Sequence, residues 1–217
     1  MKEYILNEIK VLTLESSLKR AQKMFKGLPI THVPVVKNGK LIGCISESDS
    51  QTIEDHESLI TDYTHLADYF FADENATVLE LIKLFADNET NILPVLNNEK
   101  NYLGYFELND ILDLFSSSPF LYNDGVIIVV EKIKKDFSSS EVCQIVESNN
   151  GKVLGFYISS EISDTTQATI KISSEDINEI IQTFRRYNYI VMSLHKDDYY
   201  LQDLKDRSDY LQKYLDM

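Results

Sequence analysis

The sequence predicts an α+β protein in two parts, a repeated unit followed by a separate alternation of strands and helices. Pro34 and Pro94 lie 60 positions apart in short apolar runs, and each run is followed by a strand-like segment that contains a glycine, Gly43 or Gly104. From Gly125 onwards the apolar pattern changes to strand, helix, strand, strand, helix, strand. Two copies are too few for a solenoid, so the repeats are predicted to form a pseudo-twofold pair that shares one core.

Each repeat is predicted to open with an amphipathic helix, because apolar residues recur at spacings i, i+3 and i+7. The matching positions are Leu18, Ala21 and Phe25 in the first repeat and Val78, Leu81 and Phe85 in the second. Before each helix lies a short apolar lead-in segment, residues 9–12 or residues 69–72, which can add an edge strand.

Candidate ligand-binding residues follow the glycine of each repeat. Ser46 is a good N-cap with Asp49 three residues later, and this places a hydroxyl and a carboxylate at the positive end of a helix. Capping alone is the alternative interpretation of this pair. In the second repeat the corresponding residues are Glu107 and Asp110. Gly43 marks a bulge, or a point where another backbone or a ligand comes close.

With these motif residues, the two repeats resemble a tandem pair of CBS domains, the first over residues 1–60 and the second over residues 61–120. The family pattern Gly-x-x-(Ser/Thr)-x-x-Asp is met by Gly43, Ser46 and Asp49, after the segment His32-Val33-Pro34-Val35. In that family the aspartate binds the ribose hydroxyls and the hydroxyl residue contacts the ribose or phosphate. The resemblance therefore implies an adenosine nucleotide as regulatory ligand, AMP foremost and ADP or ATP as alternatives, and no other cofactor.

The resemblance also implies that the lead-in segments pass over the ligand. Ile9, Val11, Phe70 and Phe71 are the candidate neighbours of the base, and ordinary core packing is the alternative for each. Glu107 stands where the family has a hydroxyl, and a carboxylate there would repel a phosphate. The site at Ser46 and Asp49 is therefore expected to take the nucleotide. The site at Glu107 and Asp110 is expected to be empty or to accept an uncharged adenosyl group.

The second part shows a βαββαβ order, which is typical of the ferredoxin-like arrangement. A boundary is predicted near Pro119, after three serines. After a CBS pair, residues 121–196 resemble an ACT domain, and the whole chain resembles the bacterial acetoin-utilisation AcuB-type proteins. The loop at residues 134–140 lacks the glycine usual in ACT domains that bind amino acids. This part is therefore expected to mediate interactions rather than to bind an amino acid.

Residues 197–217 are predicted to form a C-terminal helix. Leu201, Leu204, Ser208, Leu211 and Leu215 are separated by steps of 3, 4, 3 and 4 residues. That spacing is typical of a coiled-coil seam, which would support a homodimer. Packing of the helix on the sheet of its own chain is the alternative.

The composition limits the possible partners. The formal net charge is −14, with 35 acidic and 21 basic side chains, so nucleic acid and anionic membrane surfaces are not expected as partners. No apolar run approaches the ~20 residues of a membrane span, and the start of the sequence is not a signal peptide, so a cytoplasmic location is expected. No cluster of residues suggests a metal site.

The sequence contains no motif of a catalytic nucleophile, a metalloprotease or a phosphate-binding loop, so no enzymatic activity is expected. The function predicted from the sequence is a regulatory protein that senses an adenosine nucleotide and acts on an unidentified protein target. The alternative is a dimerisation scaffold whose ligand sites have decayed.

Overall fold

The computed structural model describes residues 1–53, 55 and 57–192, and the chain divides into two compact units that meet between Ser117 and Ser118. Both units combine helices and strands, so the α+β class is confirmed. The elements of the first unit are α1 (Leu18–Gly27), β1 (His32–Lys37), β2 (Lys40–Ser46), α2 (Glu47–Thr52), β3 (Ala72–Asp73), α3 (Val78–Asp87), β4 (Ile92–Leu96), β5 (Tyr102–Glu107) and α4 (Leu108–Ser116), with 3₁₀ helices at Lys2–Tyr4 and Ile60–Leu66.

The internal repeat is visible in the pairing of the strands. β1 pairs antiparallel with β2, β4 pairs antiparallel with β5, and each hairpin carries one register shift, after Val35 or after Val95. The helices before the hairpins bury the predicted apolar positions except Val78, which is half-buried, and Leu18 and Leu81 are fully enclosed. The predicted pseudo-twofold pair is therefore built from two copies of one helix-and-hairpin unit.

The lead-in segments are exchanged between the repeats. Leu6, ahead of the first repeat, pairs with Tyr105 of β5 through two backbone hydrogen bonds of 2.9 Å. Asp68, ahead of the second repeat, pairs in the same way with Cys44 of β2, at 2.8 and 2.9 Å. The chain thus begins each lead-in on the hairpin of the other repeat and then adds to its own, because Leu12 pairs with Val35 of β1 and Ala72 pairs with Val95 of β4.

The two strand glycines lie where these backbones approach one another. A Cβ added to Gly104 would lie 2.2 Å from the carbonyl oxygen of Leu6, and the φ of Gly104 is +151°. A Cβ added to Gly43 would lie 2.9 Å from the Cβ of Ala67 and 3.1 Å from the carbonyl oxygen of Asp68. Close approach of another backbone thus accounts for both glycines.

Equivalent residues of the two repeats also bind each other directly. The Thr31 amide donates to Asn91 Oδ1 at 2.9 Å, and the Asn91 amide donates to Thr31 Oγ1 at 3.1 Å. Around this contact the two repeats share apolar residues in one core. Members of that core include Leu12, Leu18 and Val33 from the first repeat and Ile92 and Tyr105 from the second.

The connection between the repeats differs from the surface linker that its acidic sequence predicts. α2 ends at Thr52, and the chain then returns to the core, where Ile60 is fully buried. The Ile60 amide donates to the carbonyl of Ser16 at 2.9 Å, and the Leu18 amide donates to the carbonyl of Ser58 at 2.9 Å. The buried Ile60 side chain and these backbone hydrogen bonds hold the segment against the core. The acidic composition of the segment gives no indication of them.

The second unit has the predicted βαββαβ order. Its elements are α5 (Pro119–Tyr122), β6 (Val126–Ile133), a 3₁₀ helix at Lys134–Asp136, α6 (Ser139–Ser148), β7 (Lys152–Ile162), β8 (Thr165–Ser173), α7 (Ile177–Arg186) and β9 (Ile190–Val191). The strands form one antiparallel sheet in the order β7-β8-β6-β9. α6 and α7 cover one face of this sheet and bury Ile128, Val142, Ile170, Ile180 and Phe184 between them. The predicted helix at residues 197–217 lies outside the described residues.

Replacing Gly104 by alanine should strain the exchanged lead-in. The added Cβ meets a backbone oxygen at a positive φ, so we expect unfolding of this unit to become easier by about 2 kcal/mol or more. Hydrogen exchange of the β4 and β5 amides reports this unit alone. Gly27→Ala is the matched control, because nothing lies within 4 Å of its added Cβ. Equal protection in both variants would contradict the proposed packing.

Candidate functional site

The first cavity, here called cleft one, has a volume of about 650 Å³ and lies at the start of α2. Small-molecule sites commonly occupy ~300–1,000 Å³. Residues of both repeats line cleft one: Thr31, His32, Ser46, Glu47, Ser48, Asp49, Asp68, Tyr69, Phe70, Asp87, Asn88 and Glu89. The exchange of lead-ins explains this mixture, since Asp68 is held against β2 of the first repeat.

Ser46 and Asp49 meet at the floor of cleft one. Ser46 is the N-cap of α2, where its Oγ accepts from the Asp49 amide at 3.0 Å and donates to Asp49 Oδ2 at 2.6 Å. The predicted capping is thus confirmed. Both side chains also line the cavity, so capping and ligand contact are compatible roles for this pair.

An aromatic group forms another wall of cleft one. His32 is 7 % exposed, and its ring stands edge-on to Phe70 with centroids 5.3 Å apart. His32 Nδ1 lies 2.9 Å from Thr31 Oγ1, a hydroxyl that donates to Asn91 Oδ1 at 3.1 Å. This network assigns the proton of the neutral ring to Nδ1 and leaves Nε2 as an acceptor.

Burial lowers the pKa of His32 below its ordinary value of 6.5, against the opposing charges of Asp68 and Asp49. The Asp68 carboxylate lies 4.0 Å from His32 Nε2, too far for a hydrogen bond. At neutral pH His32 is therefore an uncharged aromatic surface, suited to contact a base rather than a phosphate.

The second cavity, here called cleft two, has a volume of about 530 Å³ and lies at the start of α4. It is lined by Glu8, Ile9, Lys10, Arg20, Met24, Leu28, Pro29, Ile30, Asn91, Ile92, Tyr105, Glu107, Leu108 and Asn109. It corresponds to cleft one by the pseudo-symmetry, because each cleft combines a helix start of one repeat with the lead-in of the other. Its walls are more apolar than those of cleft one, because Met24 of α1 and the residues that follow this helix, Leu28, Pro29 and Ile30, line it.

Glu107 is the N-cap of α4, but its side chain makes no capping hydrogen bond. Burial raises the pKa of Glu107 above its ordinary value, and the nearby charges of Asp110 and Glu8 raise it further. Asp110 is the third residue of α4, as Asp49 is of α2. It directly follows the helix residues that line cleft two and is half-buried.

The two clefts carry different charges. Five carboxylates line cleft one, from Glu47, Asp49, Asp68, Asp87 and Glu89, and within the described part of the chain no lysine or arginine lines it. Lys83 pairs with Asp87 from α3.

Cleft two instead balances Glu8 and Glu107 with Lys10 and Arg20, and neither cation forms an ion pair with another described residue. These charges favour a phosphate in cleft two, the opposite of what the motif residues alone suggest.

The lead-in residues divide between cleft and core. Ile9 lines cleft two and Phe70 lines cleft one. Val11 and Phe71 instead pack in a separate apolar cluster beside Val36, and the Phe71 ring lies 4.5 Å from Lys100 Nζ. Val11 and Phe71 therefore take the core role that was their alternative.

Several residues that shape the clefts carry no motif signal in the sequence. His32 belongs to an apolar strand, and Asp68 belongs to an acidic linker. Lys10 lies ahead of the amphipathic helix α1 and Arg20 lies within it, and both side chains are exposed. Their relevance follows only from the packing of the two repeats, which brings Lys10 of the lead-in and Arg20 of α1 to the helix start of the second repeat.

Comparison with known proteins identifies the first unit. The CBS domain family matches residues 1–49 and 60–117. The chain is a tandem CBS-domain protein. The match ends where the first compact unit ends, at residue 117.

Curated relatives match about half of this chain. An uncharacterized protein of Methanocaldococcus jannaschii is 26 % identical over 110 residues, which are 51 % of this chain and 42 % of that protein. Inosine-5'-monophosphate dehydrogenase of the same organism is 27 % identical over 111 residues, which are 51 % of this chain and 22 % of the enzyme. The chain thus spans less than half the length of these relatives.

Two solved structures are also similar to about half of this chain. A CBS domain pair/ACT domain protein from Thermotoga maritima has 17 % identity and a TM-score of 0.47, and the likeness covers 52 % of this chain and 93 % of that one. CBSX2 in complex with AMP has 13 % identity and a TM-score of 0.45, with coverage of 52 % and 93 %. No helix among the described residues is long and apolar enough to cross a membrane.

The pKa of His32 offers a test of the geometry of cleft one. We expect a titration followed by the ring resonances of His32 to give a pKa below 6.5, and Asp68→Asn to lower it further by removing an opposing charge. Because the unfolded chain binds this proton more readily, the unit should lose stability as the pH falls below about 6.5. Glu89→Gln is the control, since it removes a charge of the same cleft that does not affect His32. A pKa at or above the ordinary value would contradict the buried, neutral ring.

Proposed function

We propose that the CBS pair binds an adenosine nucleotide and that the protein is a non-catalytic regulator of another protein. The observation that carries this proposal is the pair of pseudo-equivalent clefts. Each cleft lies at a helix start with a carboxylate at the third helical position, Asp49 or Asp110, and each includes the lead-in of the opposite repeat. The resemblance to adenosine-sensing CBS domains supplies the class of ligand.

In this proposal each group of residues contacts a different part of the ligand. Asp49 and Asp110 would accept hydrogen bonds from ribose hydroxyls, since a carboxylate can bind two donors. A base in cleft two would lie among Ile9, Met24 and Ile30, whereas a base in cleft one would meet the rings of His32 and Phe70. The cations of cleft two lie on the lead-in and on α1, where they can reach a phosphate.

We propose that AMP binds in cleft two. Like charges about 4 Å apart near a protein surface repel by roughly 4 kcal/mol before salt screening, so a phosphate among the five carboxylates of cleft one is strongly disfavoured. In cleft two the guanidinium of Arg20 can bind a phosphate through two hydrogen bonds. The raised pKa of Glu107 also lowers the cost of protonating the carboxylate at the N-cap of α4. Cleft one would then accept an uncharged adenosyl group.

A dimerisation scaffold with decayed sites is the second candidate. The observation that favours it is the hydrogen bond between Ser46 and Asp49, which already uses the hydroxyl proton and one carboxylate oxygen. If neither cleft binds a nucleotide, this function replaces the first.

The second unit is proposed to be an ACT-like interaction domain within a homodimer. Its loop after β6 forms a short 3₁₀ helix at Lys134–Asp136 and contains no glycine. A thermal-shift screen with the twenty amino acids should therefore give no stabilisation that grows with ligand concentration.

Calorimetry with AMP and adenosine tests the role of Arg20. Loss of a charge-assisted hydrogen bond costs about 1.5–3 kcal/mol, so Arg20→Ala should weaken AMP roughly tenfold or more. Adenosine, which has no phosphate, should bind the variant as it binds the parent. Lys23→Ala is the matched control, because it removes the same charge from an exposed position of α1 that does not line the cleft. Equal losses of AMP affinity in the two variants would show that the overall charge of the protein, and not a contact with Arg20, sets the affinity.

The carboxylate of Glu107 provides an independent test. At pH 7 to 8 Glu107→Gln should tighten AMP several-fold, because it removes a negative charge beside the phosphate. The difference from the parent should shrink as the pH falls toward the raised pKa of Glu107, where the parent side chain becomes neutral as well. The titration of AMP itself cancels in this comparison. If Glu47→Gln in cleft one tightened AMP and Glu107→Gln did not, the nucleotide would be in cleft one.

A further inference from the structure

The serine hydroxyls of cleft one already donate their protons to neighbouring protein atoms. Ser46 Oγ donates to Asp49 Oδ2 at 2.6 Å, and Ser48 Oγ lies 2.9 Å from Ser46 Oγ. A hydroxyl has one proton, so the Ser46 proton is in use and Ser48 is the donor in the second contact. Together with the five carboxylates, these hydroxyls present acceptors to a ligand.

The proton of the Thr31 hydroxyl is committed in the same way. Asn91 has a fixed orientation, because its Nδ2 donates to the carbonyl of Pro29 at 2.6 Å and its Oδ1 accepts from the Thr31 amide at 2.9 Å. Thr31 Oγ1 lies 3.1 Å from the same Oδ1. This contact joins two oxygens, so it needs the hydroxyl proton between them.

His32 is therefore held with its second nitrogen as an acceptor. Its Nδ1 lies 2.9 Å from Thr31 Oγ1 and must supply the proton of that hydrogen bond, because the hydroxyl proton is directed to Asn91. The neutral ring has one proton, so Nε2 carries only a lone pair. His32 is 7 % exposed and lines cleft one, and Nε2 accepts no hydrogen bond from the part of the chain that the structure describes. Its nearest charged neighbour is the Asp68 carboxylate at 4.0 Å, which has no proton to offer at neutral pH.

The two aromatic rings of cleft one divide the contacts of a base between them. The planes of His32 and Phe70 are inclined at 86°. A base that stacks on Phe70 therefore cannot also stack on His32. Its contact with the imidazole is then a hydrogen bond to Nε2, and the base must supply the donor.

We propose that His32 makes cleft one select a purine nucleoside with an amino group on its base, and that Thr31 is the positioning residue for this selection. The inference rests on the proposed function, in which an adenosyl group occupies cleft one. The exocyclic amino group of adenine would donate to Nε2. A purine that lacks this group would leave a buried acceptor without a partner, and its affinity would be lower.

Nitrogen NMR spectroscopy of the full chain tests the position of the proton without a ligand. At about pH 8 the ring is neutral, and the shifts of its two nitrogens show which of them is protonated. We expect the proton on Nδ1 in the parent and in Thr31→Ser, which keeps the hydroxyl. Thr31→Val removes the hydroxyl at nearly constant size and should move the proton towards Nε2. His32→Gln identifies the resonances.

A comparison of adenosine with purine riboside tests the selection itself. Purine riboside has a hydrogen in place of the amino group and an unchanged ribose. Titrations followed by the His32 ring resonances report binding in cleft one, and adenosine should bind about 3- to 10-fold more tightly. Thr31→Ser should keep this ratio, whereas Thr31→Val should bring it close to one. General damage to the cleft would weaken both nucleosides and leave the ratio unchanged.

Two results in the parent protein would overturn the proposal, so it can be rejected even if Thr31→Val does not fold. One is a His32 proton on Nε2, and the other is equal affinity for the two nucleosides. If neither nucleoside shifts the His32 resonances, cleft one binds no nucleoside and the proposal also fails. Calorimetry with AMP then decides separately whether cleft two has the proposed function.

Discussion

Two backbone pairs, Leu6 with Tyr105 and Cys44 with Asp68, hold the start of each lead-in against the hairpin of the other repeat. The remaining features of the first unit depend on this exchange. Gly43 and Gly104 must lack side chains so that the crossing backbones can approach. Each cleft acquires walls from both repeats, so a ligand in either cleft would bridge them. Binding would therefore change the strength with which the repeats hold each other, and this is a physical route from a small ligand to a partner protein.

The same exchange separates the charges of the two clefts. Cleft one receives the acidic lead-in of the second repeat and the acidic end of α3, whereas cleft two receives Lys10 and Arg20 from the first repeat. Two sites related by pseudo-symmetry thus differ in the ligand charge that they tolerate. Under the proposed function, electrostatics rather than shape would keep a phosphorylated compound out of cleft one, whereas cleft two would admit it.

The sequence predicts those features that repeat or follow a simple period. The pair of prolines, the amphipathic helices, the Ser46 cap and the βαββαβ order all have local signals, and the structure contains each of them. The lead-ins were harder to assign, because residues 9–11 and 69–71 form no regular strand and their side chains therefore follow no simple period. Four residues of sequence are too few to predict that Ile9 and Phe70 face the clefts while Val11 and Phe71 face the core.

The charge of each cleft could not be predicted from its own motif. Arg20 is distant in sequence from Glu107, and only tertiary structure brings them to one cavity. A crystal structure of the protein with AMP at saturating concentration tests the account most directly. The account predicts a nucleotide in cleft two, with its phosphate within hydrogen-bonding distance of Arg20 and its ribose at Asp110. A phosphate beside Ser46 in cleft one, or two empty clefts, would contradict it.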